Sequence, residues 1–398
     1  MQKVLFVTFD LIRPNDPPKS LAVASILATL RNDERLKLEY EFEHLSINVF
    51  QNAENWQEKA KSFRFSEYAF VAVSAYAWNE FCINDFLTNL RARGFGGKII
   101  LGGYQIINDT HENYKERYPL ADIFIEGFAE QKLLNLLVDE SCNSQEMPSV
   151  YSTGEIKISS DMPMIRLETK RGCPYSCSFC RHRDVVGNSV VEFPKNRVMK
   201  ELDFVISSGV KKINIVDPIF HVGKYYMDYL SEIVFLCKNR NVNTLISLQC
   251  RLEFLTSPRG DDFLNLCKAG NIELEFGLQT CNEQESVLIN RKNNMQKIEK
   301  ALKILNNTNI SHEISLMYGL PGQTLDSFSK SVEFLKQKSK AIVKTYPLKL
   351  LRGTPLFLEK EKYFFEEEED EYGIPQVVSS STFTYSDWLK MEEIARDL

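Results

Sequence analysis

Nine of the 398 residues are cysteine, and three of them stand at a spacing that can do chemistry. They fall in Lys170-Arg171-Gly172-Cys173-Pro174-Tyr175-Ser176-Cys177-Ser178-Phe179-Cys180, a C-x3-C-x2-C array. A short loop with that spacing can turn three thiolates toward one face of a four-iron, four-sulfur cluster. Only three ligands are offered locally, so one iron is left open to a small molecule. Zinc is the competing occupant. It usually takes four ligands in paired Cys or Cys/His sets, and His182 is close enough in sequence to supply the fourth. Spacing alone leaves both open. Cys82, Cys142, Cys237, Cys250, Cys267 and Cys281 form no second close-spaced set, and most read as small buried hydrophobes.

Composition narrows the classes. The chain carries 48 Lys and Arg against 54 Asp and Glu, a net charge of -6, with 43% hydrophobic and 26% charged residues. That is ordinary globular composition, with length for two or three domains. The acidity, and the lack of a basic stripe interleaved with aromatics, disfavour a nucleic-acid partner. Lys and Arg between 291 and 303 read as a helix face. No stretch approaches the roughly twenty apolar residues of a membrane span, and Met1 to Asp10 lacks the marks of a signal peptide. A cytoplasmic protein without a membrane partner is expected, in a compartment that favours thiols or metal ligands over disulfides.

The elements that must position the cysteines form two successive series of strands and helices. Lys3 to Thr8, Tyr68 to Ser74, Lys98 to Leu101 and Asp122 to Ile125 read as buried strands, with helices over Leu21 to Leu30 and Ala129 to Val138. Continuous apolar strands alternating with helices predict a parallel sheet covered on both faces. Residues 1–150 are therefore expected to form a doubly wound, Rossmann-like domain that binds ligands beyond its strand C-termini. Residues 151–164 read as a connector. Strands are expected over Ile165 to Lys170, Lys212 to Val216, Thr244 to Gln249, Ile272 to Phe276, Glu313 to Met317 and Ile342 to Tyr346. Six such units within 165–357 predict a partial β/α barrel with chemistry at the strand C-terminal ends. In the tail, 358–398, the acidic block Glu366 to Glu371 reads as a solvated loop or helix face, and Ser386 to Leu398 as a short helix capped by Ser386 or Asp387.

The cysteine triplet, with aromatic Phe179 before its last Cys and a barrel strand before its first, resembles the signature of the radical S-adenosylmethionine (SAM) superfamily. Further matches follow in order. Ile213 to Pro218 resembles the second-strand end of the branch that includes methylthiotransferases and cobalamin-dependent members. Leu274 to Thr280 is similar to the fourth-strand motif, Gly319-Leu320-Pro321-Gly322-Gln323-Thr324 to the G-L-P-G-x-T turn, and Gly353-Thr354-Pro355-Leu356 to the G-T-P-L after the sixth strand. The resemblance implies that Cys173, Cys177 and Cys180 hold a [4Fe-4S] cluster whose open iron is chelated by SAM. An electron, from a donor such as flavodoxin or ferredoxin, would cleave SAM to a 5′-deoxyadenosyl radical. Phe179, Asp217, Gln249, Arg251, Glu275 and Gln279 become candidate cofactor contacts. Cys250 or Cys281 could donate hydrogen to a substrate radical, and Tyr318 could touch SAM or substrate. Each has a plainer alternative: Arg251 paired with an acid, Glu275 a structural barrel carboxylate, Tyr318 a packing ring.

A doubly wound domain ahead of such a barrel resembles the cobalamin-binding subgroup. Pro17-Pro18-Lys19-Ser20-Leu21 fits the opening of its first helix, Ser74 to Asn79 the loop after its third strand, and Leu101-Gly102-Gly103 and Glu126-Gly127 the two following loops. Small residues at strand ends let a flat corrin approach the backbone, while Ser74 and Thr110 could bond its amides. The D-x-H-x-x-G motif that supplies a lower axial His in many cobalamin proteins is missing. His111 mimics it after the wrong strand. The resemblance thus implies cobalamin-dependent methyl transfer to an unactivated centre of a small metabolite or peptide. The alternatives are radical cyclisation, rearrangement or epimerisation with the first domain as cobalamin-assisted or cofactor-free scaffold, and a non-catalytic iron–sulfur or cobalamin sensor.

Overall fold

The structure, a computed structural model, describes residues 1–139, 147–184 and 186–398. Cys142 lies outside the described residues. The chain divides into two compact units, residues 1–158 with 371–374, and 159–370 with 375–398.

The first unit is built on a five-stranded parallel sheet of β1 (Gln2–Asp10), β2 (Tyr40–Asn48), β3 (Tyr68–Ser74), β4 (Lys98–Gly102) and β5 (Ile123–Ile125), in the order 2-1-3-4-5. Alternate residues of β1 serve opposite faces. Leu5, Val7 and Phe9 pack with Phe86, Leu87 and Leu90 of the helix Glu80–Ala92, whereas Val4 and Phe6 pack with Leu27, Leu30, Leu133 and Leu134. That is the doubly wound arrangement the apolar strands predict. The sequence reading named no strand over 40–48. Charged residues alternate there with Phe42, Leu45 and Ile47 because β2 is an edge strand whose second face is less deeply covered.

The second unit carries six parallel strands, β6 (Ile165–Leu167), β9 (Lys212–Ile215), β10 (Leu245–Cys250), β11 (Ile272–Gln279), β12 (Ser311–Tyr318) and β13 (Ile342–Pro347), paired in chain order. Between β6 and β9 a small hairpin pairs β7 (Lys170–Arg171) with β8 (Val191–Glu192). Strand alternation is strict. In β11, Leu274, Phe276 and Leu278 are buried, while Glu273, Glu275, Gly277 and Gln279 share the other face. Register extends this polar face to Gln249 of β10 and Glu313 of β12. One side of the sheet is thus an apolar floor under helices and the other a polar barrel interior.

Two expectations for the tail are corrected. The acidic block is a strand, β14 (Glu366–Glu369), paired antiparallel with β15 (Pro375–Ser379). Its charges have local partners: Ser379 donates to Glu366, and Lys360 and Lys349 pair with Glu367 and Asp370. The last helix spans Tyr385–Arg396 and is capped by Thr384, with Asp387 as the third-position member of a capping box. No helix among the described residues is long and apolar enough to cross a membrane.

Candidate functional site

The cysteine loop leaves β7 through Gly172, whose φ is +88° and whose missing Cβ would collide with Val186 and the Ser189 carbonyl. Only glycine meets both demands. Cys173 and Cys177 are buried and Cys180 is half-buried. Burial pushes the Cys173 thiol up and the Cys180 thiol to about 11. A bound cation reverses that, because metals take the thiolate. Among the described residues no three Cys, His, Asp or Glu side chains converge tightly enough to hold a single metal ion. A cluster, whose irons stand apart from one another, does not need that convergence.

Two segments far along the chain hold the loop. The Ile289 carbonyl accepts from the Ser178 amide at 2.9 Å, and the Asn290 side chain donates to the Ser176 carbonyl and hydroxyl at 2.9 and 3.0 Å. Arg291 Nη1 donates to Cys177 Sγ at 3.8 Å, and its Nη2 to the Gly277 carbonyl. On another side the Leu356 amide donates to the Ser178 carbonyl at 3.0 Å. Sequence reading placed Arg291 on a helix face. The helix begins only at Met295, and Arg291 is 8% exposed. Its one sequence signal was a cation just ahead of an Asn-rich helix start.

Asp217 is fully buried and faces the protein. It accepts from the Thr169 and Lys170 amides at 2.8 and 3.3 Å and from the Thr169 hydroxyl, with Lys170 Nζ at 3.4 Å. Burial raises its carboxyl and the Lys170 cation opposes that. Lys170 also donates to the Phe220 and Val222 carbonyls, both at 2.8 Å. This group ties the segment entering the cysteine loop to the end of β9.

On the polar face, Gln249 reaches toward Glu275 at 3.4 Å, and burial with the nearby Glu313 charge raises the Glu275 carboxyl. Gln279 sits at φ +72° where the β11–β12 register shifts, and a Cβ on Gly277 would come within 2.6 Å of its amide nitrogen. Such a bulge re-aims a strand-end side chain. Arg251 stacks on the Tyr175 ring at 4.5 Å and bonds Glu253 at 3.1 Å. His221 stacks on Phe254 at 4.2 Å with its Nδ1 buried and without a hydrogen-bond partner, and burial lowers its pKa to about 3. Tyr175, His221, Arg251 and Phe254 line one open cavity of about 370 Å³. Phe179 is half-buried in the loop.

Cys250, Cys281 and Tyr318 pack toward the helix layer rather than the polar face. Cys250 pairs in register with Phe276 on the apolar face, near Cys267 of the helix Gly260–Ala269. The Cys281 thiol lies 3.9 Å from the Ser331 carbonyl on the helix Leu325–Lys338, with burial raising it to about 12. Tyr318 packs between Phe328 and Trp388, its ring centroid 5.7 and 5.8 Å from theirs. None of the three is turned toward the polar interior.

In the first unit, the loops at the strand C-termini bring together the residues proposed from the sequence as a second candidate site. Asn79 donates to the Phe9 and Ser74 carbonyls and accepts from the Tyr76 amide, and Trp78 Nε1 donates to the Phe9 carbonyl. Tyr76 stacks on Trp78 at 4.5 Å. The Gly102 carbonyl accepts from the Ala75 amide, and Gly103, at φ +113°, leaves room where a Cβ would stand 2.5 Å from the Ala75 carbonyl. Ser74 Oγ is buried without a partner, an available group for a ligand amide. Glu126 accepts from Tyr114 at 2.9 Å, and Gly127 turns at φ +68°. The glycine cradle and orphaned hydroxyl fit a flat amide-bearing ligand. Thr110 instead caps the helix His111–Arg117, and His111 packs edge-on to Phe124, away from a ligand role.

With this geometry in place, the chain can be compared with known proteins. Residues 167–335 match the family model described as Radical SAM superfamily. Over 89% of its length the chain is 23% identical to "Cobalamin-dependent radical SAM methyltransferase TokK" of Streptomyces tokunonensis. It is also 23% identical, over 61% of its length, to "tRNA-2-methylthio-N(6)-dimethylallyladenosine synthase" of Clostridium novyi. It spans 56% of each of these relatives. The fold is similar to that of the radical SAM methyltransferase TsrM of Kitasatospora setae, solved with cobalamin and a [4Fe-4S] cluster bound. The TM-score is 0.73 at 16% identity, covering 98% of this chain and 91% of that one.

Proposed function

We propose that this chain is a radical SAM enzyme that transfers a methyl group to an unactivated carbon or phosphorus centre of a small metabolite or peptide. In this reading Cys173, Cys177 and Cys180 hold a [4Fe-4S] cluster, SAM binds its open iron, and cobalamin sits at the strand ends of the first unit. What carries it is the three-cysteine loop at the first barrel strand of a chain that is similar, along nearly its whole length, to a methyltransferase solved with both groups. When bound, the cluster supplies the electron that splits SAM, and cobalamin the means of carrying a methyl group.

The chain's residues do the rest. Asp217, Thr169 and Lys170 fix the approach to Gly172 and so the direction of the thiols. Gln249, Arg251, Glu275 and Gln279 offer the polar groups that orient SAM, and Phe179 an apolar surface beside it. Ser74, Gly102, Gly103, Glu126 and Gly127 receive the corrin edge. A reduced flavodoxin or ferredoxin is the expected electron donor.

The test is cobalamin and iron content after anaerobic purification from cobalamin-fed cells and cluster reconstitution, followed by SAM carrying a deuterated methyl group. About one cobalamin and four irons per chain, with label retained in product, is the expected result. A full cluster and SAM cleavage without cobalamin would overturn methyl transfer and leave cyclisation, rearrangement or epimerisation on a cofactor-free scaffold. A cluster with no SAM cleavage would favour the sensor.

A further inference from the structure

Arg291 is a nearly fully buried cation with no carboxylate in ion-pairing distance among the described residues. Its bonds go to two groups, the Gly277 carbonyl and Cys177 Sγ, and its Nε is buried without a partner. Glu253 acts on it only at longer range and is already bonded to Arg251, a like charge. Burying an unpaired charge costs several kcal/mol, so a chain that keeps one has a use for it. A neutral thiol and a carbonyl do not offset that cost. Three thiolates on a cluster do, because they bring net negative charge to the atom Nη1 already touches.

We propose that Arg291 is a positioning residue for the cluster, donating an N–H···S bond to the Cys177 thiolate and raising the reduction potential of the bound cluster. The inference rests on the proposed cluster ligation. Hydrogen bonds to ligand sulfur and nearby positive charge both favour the reduced, more negative cluster. When one electron enters, the added charge meets a cation already in place. The guanidinium fork suits this where an ammonium would not: one arm is anchored on Gly277 of the strand that carries Glu275 and Gln279, leaving the other for sulfur. Ile289 and Asn290, bonded to Ser178 and Ser176, carry Arg291 to Cys177 along adjacent backbone.

The test is an anaerobic dithionite titration of the reconstituted full chain, following the reduced cluster by electron paramagnetic resonance. Arg291→Met is expected to keep its iron and to lower the reduced-to-oxidised ratio at a fixed potential by about tenfold, a shift near 59 mV for one electron. Arg291→Lys should shift it by less. Lys292→Met, which removes the neighbouring solvent-exposed charge, should titrate as wild type. An iron-replete Arg291→Met at the wild-type potential overturns the proposal, as does an equal shift in Lys292→Met. If Arg291→Met loses its iron, Arg291→Lys decides: a lowered potential supports the role and an unchanged one overturns it. A wild-type chain that binds no iron overturns the functional reading and this inference with it, whereas an iron-replete wild type with unshifted variants overturns this inference alone.

Discussion

The Arg181 guanidinium occupies the space where a side chain on Gly353 would begin. Arg181 directly follows Cys180, the last of the three proposed cluster ligands, and is 8% exposed, and Gly353 opens the G-T-P-L turn at φ +74°. The turn after the sixth strand therefore closes against the cysteine loop, and the Leu356 amide bond to Ser178 completes the contact. Gly353→Ala must strain the backbone, at about 1–2 kcal/mol, and displace a buried cation. The expected outcome is a chain that folds with a lower melting temperature and retains less iron after gel filtration. Iron retention equal to wild type would show that the turn does not brace the loop.

Replacing Cys177 by Ala removes both a proposed ligand and the sulfur that Arg291 touches. Reconstituted Cys177→Ala is expected to lose the visible cluster absorbance and SAM cleavage while keeping its far-ultraviolet dichroism. Cys281→Ala, which removes a thiol facing a helix, should keep the cluster and cleave SAM as wild type does. Loss of product in Cys281→Ala, with iron content and SAM cleavage unchanged, would restore it as a radical-quenching thiol.

Much of this site was legible in the sequence because period-two alternation and the Cys-Cys-Cys spacing are local. Most strands of both units fell where apolar runs placed them, β2 and the β7–β8 hairpin apart, and Phe179 and Glu275 came with the motifs. What could not be read was which face of a strand end a residue takes. Cys250 and Gln249 are neighbours, yet one looks at Cys267 in the helix layer and the other at Glu275 across the polar interior. Arg291 was missed because its partners are 114 and 14 residues away. Thr384 was missed as the cap since Asp387, three residues on, carries the stronger capping signal but serves as its reciprocal partner.

Asp217 gives a stability prediction. Its removal leaves Lys170, 1% exposed, as a buried cation with two carbonyls and no counter-ion. Breaking a buried pair from one side costs about 3–5 kcal/mol. Asp217→Asn should lower the unfolding free energy measured in urea by that amount and loosen the segment entering the cysteine loop, seen as faster amide exchange at Thr169 and Lys170. An unfolding free energy within about 0.5 kcal/mol of wild type would mean the pair is not the clamp its geometry describes.

Gly103 gives a test of the proposed cobalamin site that leaves the cysteine loop untouched. Gly103→Val places a branched side chain at φ +113° against the Ala75 carbonyl, in the first unit only. Cobalamin content after reconstitution is expected to fall at least tenfold, with iron content and the cluster spectrum unchanged. Wild-type cobalamin content in this variant would move the corrin away from these loops.

His44 gives the first unit a pH-dependent contribution to stability. Its Nε2 lies 2.9 Å from the Thr8 hydroxyl, and burial, with the Lys19 and Arg31 charges behind it, lowers its pKa to about 4, against the weaker pull of Glu155. Those two cations are themselves paired with Glu155, so neutral imidazole is the form the site accepts. In the unfolded chain the ring titrates near 6.5, so between pH 6.5 and 4 the unfolded state binds the extra proton. The stability His44 contributes is therefore complete above about 6.5 and is lost as pH falls toward 4, by up to about 3 kcal/mol before solvent screening. His44→Gln, which keeps a hydrogen-bonding group without the titration, should show a visibly smaller loss of urea stability between pH 7.5 and 5 than wild type. Equal losses in the two chains would assign the acid sensitivity elsewhere.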